Sequence, residues 1–451
     1  PSVGATRTAQ RMSLAITPFE AGAEESYAGA GLAESLFRRF ASLDSVDVVA
    51  RKTSPRELSL AEVGARNVLR GKVTRRGGDL EVEAEIVAVP GGRRLWSERY
   101  VAPASDLLTL DHRLSSDVEK FLGGSTAKAP QQARSSTVDP DAYREYLKGR
   151  YYWNKFSVEG FRTALGHFQA SIDEDPTFAL AWAGLADTDL MLGFYDDDGD
   201  ENMPKARAAA ERAVTLDSQL GEGWTSLGSV LYLHDWKWRQ AEDALRRGVE
   251  LNPRYTTSHH SYAVYLALVG RFDEALAEIN RASELDPLAI VIYVDMAWIQ
   301  YCAGQQEAGL KTIDKAVRHD PKSPLAHYER SWHLDRLGRY EEAIADLETA
   351  LALEKKETSS AQKLRNALRR GGKQGYFLQR LELAASGESP HVNRSMLYVW
   401  LGDHQSALSE LESALAARER DLVYVKTSGA LAPLRQYARF QKILDEIGFP
   451  E

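Results

Sequence analysis

Residues 256–287 read "TTSHHSYAVYLALVGRFDEALAEINRASELDP", and this stretch decides the fold. His259, Tyr262, Ala263 and Leu266 fall on one face at helical spacing. Gly270 follows, where a left-handed helix C-cap suits a residue without Cβ. Ala275, Ile279 and Ala282 then form the stripe of a second helix, small enough for the two helices to approach closely. Asp286-Pro287 ends it, because proline cannot continue a helical ladder. Outward from this unit the pattern recurs at intervals of 34 residues: Pro253, Pro287, Pro321; Gly270, Gly304, Gly338; Ala282, Ala316, Ala350; and Ala275, Gly309, Ala343. One such hairpin cannot bury its apolar face alone, so neighbours must stack.

Thirty-four is the tetratricopeptide period. Upstream, Trp224, Leu227 and Gly228 hold first-helix places, with one extra residue before Ala241, and Trp182, Leu185 and Ala213 mark a unit stretched by an inserted loop. "AYREYLKGRYYWNKFSVEGFRTALGHFQASIDEDP" opens the array and ends at Pro176. Downstream the signature is degraded over residues 357–390, where a helical hairpin is still expected, and returns around Gly402, Ala407, Leu411 and Ala414. The count is about seven or eight hairpins. The expected fold class is therefore mainly α, a helical-hairpin superhelix (α-solenoid) preceded by a small α/β domain with a mixed sheet.

That leading domain is read from "MSLAITPF" as a strand, "SYAGAGLAESLFRRFASL" as a helix and "VDVVAR" as a second strand. "NVLRGKVTRR", "DLEVEAEIVAV" and "RLWSERYVA" alternate, broken at Gly77-Gly78 and Gly91-Gly92 as hairpins are, before a helix over about 105–122. The order is βαβαβββα. Domain bounds follow: 1–122 the α/β domain, 123–139 a linker of small and polar residues without periodicity, 140–422 the array, and 423–451 a C-terminal cap.

The formal charge is −9, from 56 Lys and Arg against 65 Asp and Glu, so a nucleic-acid partner is not expected, although a local basic stripe is compatible with a negative total. The one cysteine, Cys302, rules out an intrachain disulfide and lies on an apolar helix, where an inert thiol is expected. No apolar run reaches the roughly 18–20 residues that span a bilayer, and the chain starts at Pro1 like an excised piece. A membrane anchor, if the whole protein has one, lies outside this sequence.

Chemistry-bearing motifs fail one by one. Gly29-Ala30-Gly31 sits like a dinucleotide loop, yet Glu34 stands in the third glycine's place and would repel a pyrophosphate. Gly371-Gly372-Lys373-Gln374 lacks the strand and the Ser or Thr of a phosphate loop and reads as a turn. With Gly199 at the sixth position of a calcium loop, Phe194 and Lys205 take ligand positions that neither can fill, so Asp196, Asp197, Asp198, Asp200 and Glu201 read as a solvated acidic loop. No His-x-x-x-His pair is present. Neither catalysis, nor metal, nor cofactor is expected.

The leading stretch "LAITPFEAGAEESYAGAGLAESLFRRFASLDSVDVVAR", with "NVLRGKVTRR…DLEVEAEIVAVPGGRRLWSERY", resembles the TolB amino-terminal-like domain of bacterial signalling proteins. "AYREYLKGRYYWNKFSVEGF…" resembles the opening repeats behind bacterial receptor Ser/Thr kinases, and "APLRQYARFQKILDEIGFP" resembles the closing cap of that group. The resemblance implies a non-catalytic sensor or scaffold portion of a larger protein, whose effector is a kinase, a nucleotide cyclase or a winged-helix regulator. It implies a bacterial, periplasmic location next to a membrane anchor, the cytoplasm being the alternative.

In tetratricopeptide arrays the groove is lined by first-helix positions 2, 5, 9, 12 and 13. With Gly270, Gly304 and Gly338 at position 15, position 9 is Trp298 and Trp332 and position 5 is His260, Val294 and Tyr328. Tyr232 and Tyr301 take position 12, and Asp335-Arg336 close the set. An aromatic groove for a protein or peptide segment is expected, since such rings dominate binding energy. The alternatives are a homo-oligomeric adaptor (a homodimer in its simplest form) and a nucleotide-binding or enzymatic role for the α/β domain.

Overall fold

The computed structural model describes residues 12–41, 43, 46–50, 65–123, 138–195, 201–386 and 389–450. The bulk of the linker, residues 124–137, the core of the acidic loop, 196–200, and the second helix expected before Asn67 lie outside them. The α/β domain consists of β1 (Met12–Ile16), β2 (Glu20–Ala21), α1 (Ser26–Ala41), β3 (Val46–Ala50), β4 (Asn67–Arg76), β5 (Asp79–Ala88), β6 (Arg94–Pro103) and α2 (Leu107–Phe121). Its sheet runs β3-β1-β4-β5-β6, with β2 beside β4. β1 lies parallel to β3 and β4, whereas β4, β5 and β6 are antiparallel, so the sheet is mixed as expected. α1 and α2 cover one face. The other carries interleaved ions such as Arg70–Glu85–Arg94, a pattern suited to water.

The array follows as α3 (Pro140–Trp153), α4 (Val158–Glu174), α5 (Ala179–Tyr195), α6 (Asn202–Leu216), α7 (Gly221–Leu233), α8 (Trp238–Leu251), α9 (Thr256–Val269), α10 (Phe272–Leu285), α11 (Ile290–Cys302), α12 (Gln306–His319), α13 (Pro324–Arg336), α14 (Tyr340–Leu353), α15 (Ser359–Ser386), α16 (His391–Leu401) and α17 (His404–Ala417). α15 is two helices meeting at Gly372, whose φ of 56° and ψ of −148° leave the helical region, so the degraded stretch is a hairpin after all. Among the described residues this makes eight hairpins. Two 3-10 turns, Arg420–Tyr424 and Gly429–Gln436, and α18 (Ala438–Ile447) complete the chain. Gly270 has φ +93°, and its successor Arg271 donates its N–H to the carbonyl of Leu266 at 2.8 Å, so the predicted left-handed cap forms.

The chain divides into two compact units. The first comprises residues up to Val230 with Ala244–Ser258 and Glu284–Leu288; the second comprises Leu231–Asp243, His259–Ser283 and Ala289 onward. Within the first, one apolar cluster runs from Leu14 of the sheet through Leu36 and Leu147 to Ala210. Polar contacts reinforce it. Arg150 Nε and Asn154 Nδ2 each donate to the Glu34 carboxylate at 2.8 Å, and Tyr143 OH and Ser35 Oγ both donate to Asp111. Glu34, which the sequence marks only as hostile to pyrophosphate, is an anchor for the first hairpin. The Gly29–Gly31 motif serves packing too: a Cβ on Gly29 would stand 2.4 Å from the Phe19 carbonyl oxygen, and one on Gly31 would stand 3.0 Å from Leu147.

Within the second unit, hairpins are pinned by a recurrent pair. His259 meets Glu278 at 2.5 Å, His327 meets Asp346 at 2.8 Å and His391 meets Glu410 at 2.6 Å, each with a carboxylate 19 residues on in the second helix. Arg330 and Arg394, one turn after their histidines, reach the same carboxylates.

Candidate functional site: the first-helix face of the second unit

α11 and α13 put Trp298 and Trp332 at matching places, and both indoles are half-buried. The expected groove residues do not stand open together. Tyr232 is 3% exposed and meets the Tyr265 ring edge-on at 5.7 Å. Asp335 is 3% exposed, accepts a hydrogen bond from Tyr376 OH at 2.5 Å and is paired with Arg380. Tyr301 is 8% exposed and stands edge-on to Trp332 at 4.9 Å. These three brace the unit from within.

The chain's own C-terminal segment lies on part of the face expected to be empty, over Trp298 and Tyr301. Tyr424 meets the Trp298 ring at 5.5 Å, nearly perpendicular, and Gly429 lies against Tyr301, whose hydroxyl would stand 3.3 Å from a Cβ there. The Trp238 indole donates to the Ile447 carbonyl at 3.1 Å while its ring meets Phe449 at 4.6 Å. Leu422, Val423, Val425, Leu431 and Leu434 are wholly buried. Each contributes about 1.5–3 kcal/mol by leaving water, so this segment is core rather than a loosely held strap. The sequence carried a signal for it, an apolar run after Ala417 that abandons the 34-residue frame.

What remains reachable is concentrated on α13. Tyr328, Trp332 and Arg336 are spaced four apart, hence share one helix face, and all three are half-buried. Tyr328 OH donates to Glu354 at 2.7 Å. The Arg336 guanidinium lies over the Trp332 ring and 5.0 Å from the Trp400 centroid, while Nη1 donates to the Trp332 carbonyl at 2.9 Å. Desolvation pushes Arg336 down to about 9 against the opposing pull of Tyr301 and Glu329. On the same helix desolvation, aided by Asp295, raises Glu329 to about 7. His260, the remaining predicted position, is tied to Asp295 at 2.5 Å. Burial pushes the half-buried Cys302 thiol up to about 12, so a thiolate is disfavoured.

The first unit holds a small polar cavity of about 10 Å³, lined by Glu34, Arg38, Arg150, Asp187 and Glu222 among others, with room for one water. Among the described residues no three His, Cys, Asp or Glu side chains gather to hold a metal, and no helix is long and apolar enough to cross a membrane.

Tetratricopeptide-repeat family models match residues 236–290 and 324–357, which identifies these hairpins as tetratricopeptide repeats. The chain is 24% identical over 235 residues to a putative adenylate cyclase 3 of Rhizobium meliloti (strain 1021), covering 49% of this chain and 40% of that protein. It is 23% identical over 240 residues to the transcriptional regulator HilA of Salmonella typhimurium, covering 52% and 42%. The chain thus spans less than half the length of these relatives. Among solved structures, a thermophilic TPR protein of Thermus thermophilus matches with 23% identity and a TM-score of 0.35, over 45% of this chain and 99% of that one.

Proposed function

We propose that this chain is a non-catalytic protein–protein interaction module, the regulatory part of a larger bacterial signalling protein, which holds a partner segment against Tyr328, Trp332 and Arg336. One observation carries the reading: on the first-helix face of α13, two aromatic rings and a guanidinium share a stripe and keep part of their surface accessible, while Tyr232, Tyr301 and Asp335 are buried. Aromatic and arginine side chains of this kind supply most of the energy at interfaces.

The leading domain, on its likeness to TolB amino-terminal domains, is read as the sensory end. The relatives named for a cyclase and a transcriptional regulator support a portion that works beside an effector. A periplasmic site next to a membrane anchor follows from the same resemblance.

The test is a peptide-library selection on the folded chain, with the enriched peptides measured by fluorescence anisotropy. Tyr328→Ala/Trp332→Ala should weaken them by at least tenfold, about the loss of one hot-spot ring. Equal affinity in a double variant of unchanged melting temperature sinks the assignment.

A further inference from the structure

Residues 355–380 hold eight lysines and arginines against one glutamate, a local excess of seven cations in a chain whose total is −9. Two of the eight hold the hairpin in place: Arg365 donates to Glu348 at 2.7 Å and Arg380 is paired with Asp335 of α13. Lys356 pairs with Glu354 at 3.0 Å. Lys363, Arg369, Arg370 and Lys373 are exposed, and among the described residues none of them makes an ion pair. The last three flank the break at Gly371-Gly372.

That break is built to present them. Gly372 takes φ 56°, which L side chains rarely adopt, and a Cβ on Gly375 would stand 2.6 Å from the Ala367 carbonyl oxygen. Glycine at both places lets the second half of α15 fold tightly back on the first, which leaves Arg369, Arg370 and Lys373 at the hairpin tip. Unpaired like charges gathered at one tip repel one another, so the arrangement costs stability unless something anionic meets it. Leu378, five residues on and 51% exposed, adds apolar surface.

We propose that this tip docks an aspartate- and glutamate-rich segment of the partner protein; the proposal rests on the interaction-module reading and supplies the partner's chemistry. A short acidic segment touches the tip alone. A nucleic-acid duplex or an anionic bilayer is larger than such a tip, and outside residues 355–380 the chain carries a net charge of −16 (−9 − 7), which opposes a polyanion.

The experiment uses the full chain and a fluorescein-labelled deca-glutamate peptide, followed by anisotropy at two salt concentrations. Arg369→Glu/Arg370→Glu/Lys373→Glu should weaken binding on the order of tenfold and flatten the salt dependence. Lys311→Glu/Lys315→Glu/Arg318→Glu, the same charge change on α12, should leave it within about twofold, and so should Tyr328→Ala/Trp332→Ala. A neutral set, with Gln at 369, 370 and 373, guards against misfolding by charge reversal. Absence of peptide binding, equal loss in both reversal sets, or tighter binding of a duplex DNA or of phosphatidylserine vesicles than of the peptide overturns the proposal. Retention in the aromatic double variant separates it from the α13 stripe, so either reading can fail alone.

Discussion

Phe168 of α4 has no accessible surface, and two glycines on neighbouring helices make room for its ring. A Cβ on Gly149 would stand 2.7 Å from that ring, and one on Gly184 would stand 2.4 Å from it. Overpacking of this kind forces side chains off their rotamers, so Gly184→Ala should lower stability by about 1–3 kcal/mol in urea unfolding; an unchanged midpoint refutes the packing account. Asp189, on the same helix as Gly184, is 2% exposed, and its Oδ1 finds no hydrogen-bond partner among the described residues. Burial raises its carboxyl to about 7, with Lys205 opposing. The folded state therefore holds a proton that the unfolded chain releases near pH 4, and stability falls as pH rises from about 4 to 7. Asp189→Asn should stabilise the chain at pH 8 by up to about 4 kcal/mol and do little below pH 4. A gain of the same size at both pH values shows that Asp189 is not the titrating group.

Among the elements, α13 serves both its hairpin and the stripe. Its His327 and Arg330 face the second helix of the hairpin through Asp346, while Tyr328, Trp332 and Arg336 occupy the stripe. His333 is 2% exposed, its Nε2 has no hydrogen-bond partner among the described residues, and burial with the nearby Arg336 charge pushes it down to about 3. A histidine depressed in this way supports the fold above about pH 6.5, and that support is lost as pH falls from 6.5 toward 3. His333→Leu should flatten this part of the pH–stability curve; a slope identical to wild type assigns the acid sensitivity elsewhere. The same imidazole explains an irregular column. Where two neighbouring repeats have Ala275 and Ala343, this one has Gly309, because a Cβ there would stand 3.1 Å from the His333 ring and 2.9 Å from the Ala297 carbonyl oxygen. The period was legible in the sequence; the exception needed the neighbour across the helix pair.

At the scale of the whole chain, the C-terminal segment matters most. Removing Glu419–Glu451 uncovers Trp238 and Trp298 and leaves the faces that Leu422, Val425 and Leu431 now seal in water. Five wholly buried aliphatic side chains at about 1.5–3 kcal/mol each amount to roughly the whole stability of an ordinary domain. The truncated chain should bind a hydrophobic dye, shift its tryptophan emission to the red and lose the cooperative melt of the second unit. An unaltered melt and emission spectrum would show the segment to be a dispensable cover.

The 34-residue spacing of proline, glycine and alanine determined the hairpins by itself, because helix caps and close helix contacts are local demands that particular residue types meet wherever they occur. Alternation likewise marked the mixed sheet. The location of an open binding face was a different kind of question. Position 9 carries tryptophan whether its ring meets a partner or Tyr424, and position 12 carries tyrosine whether its hydroxyl meets water or Gly429. A residue's type records that it will be desolvated; only tertiary packing, which brings residues over a hundred positions apart together, decides by what.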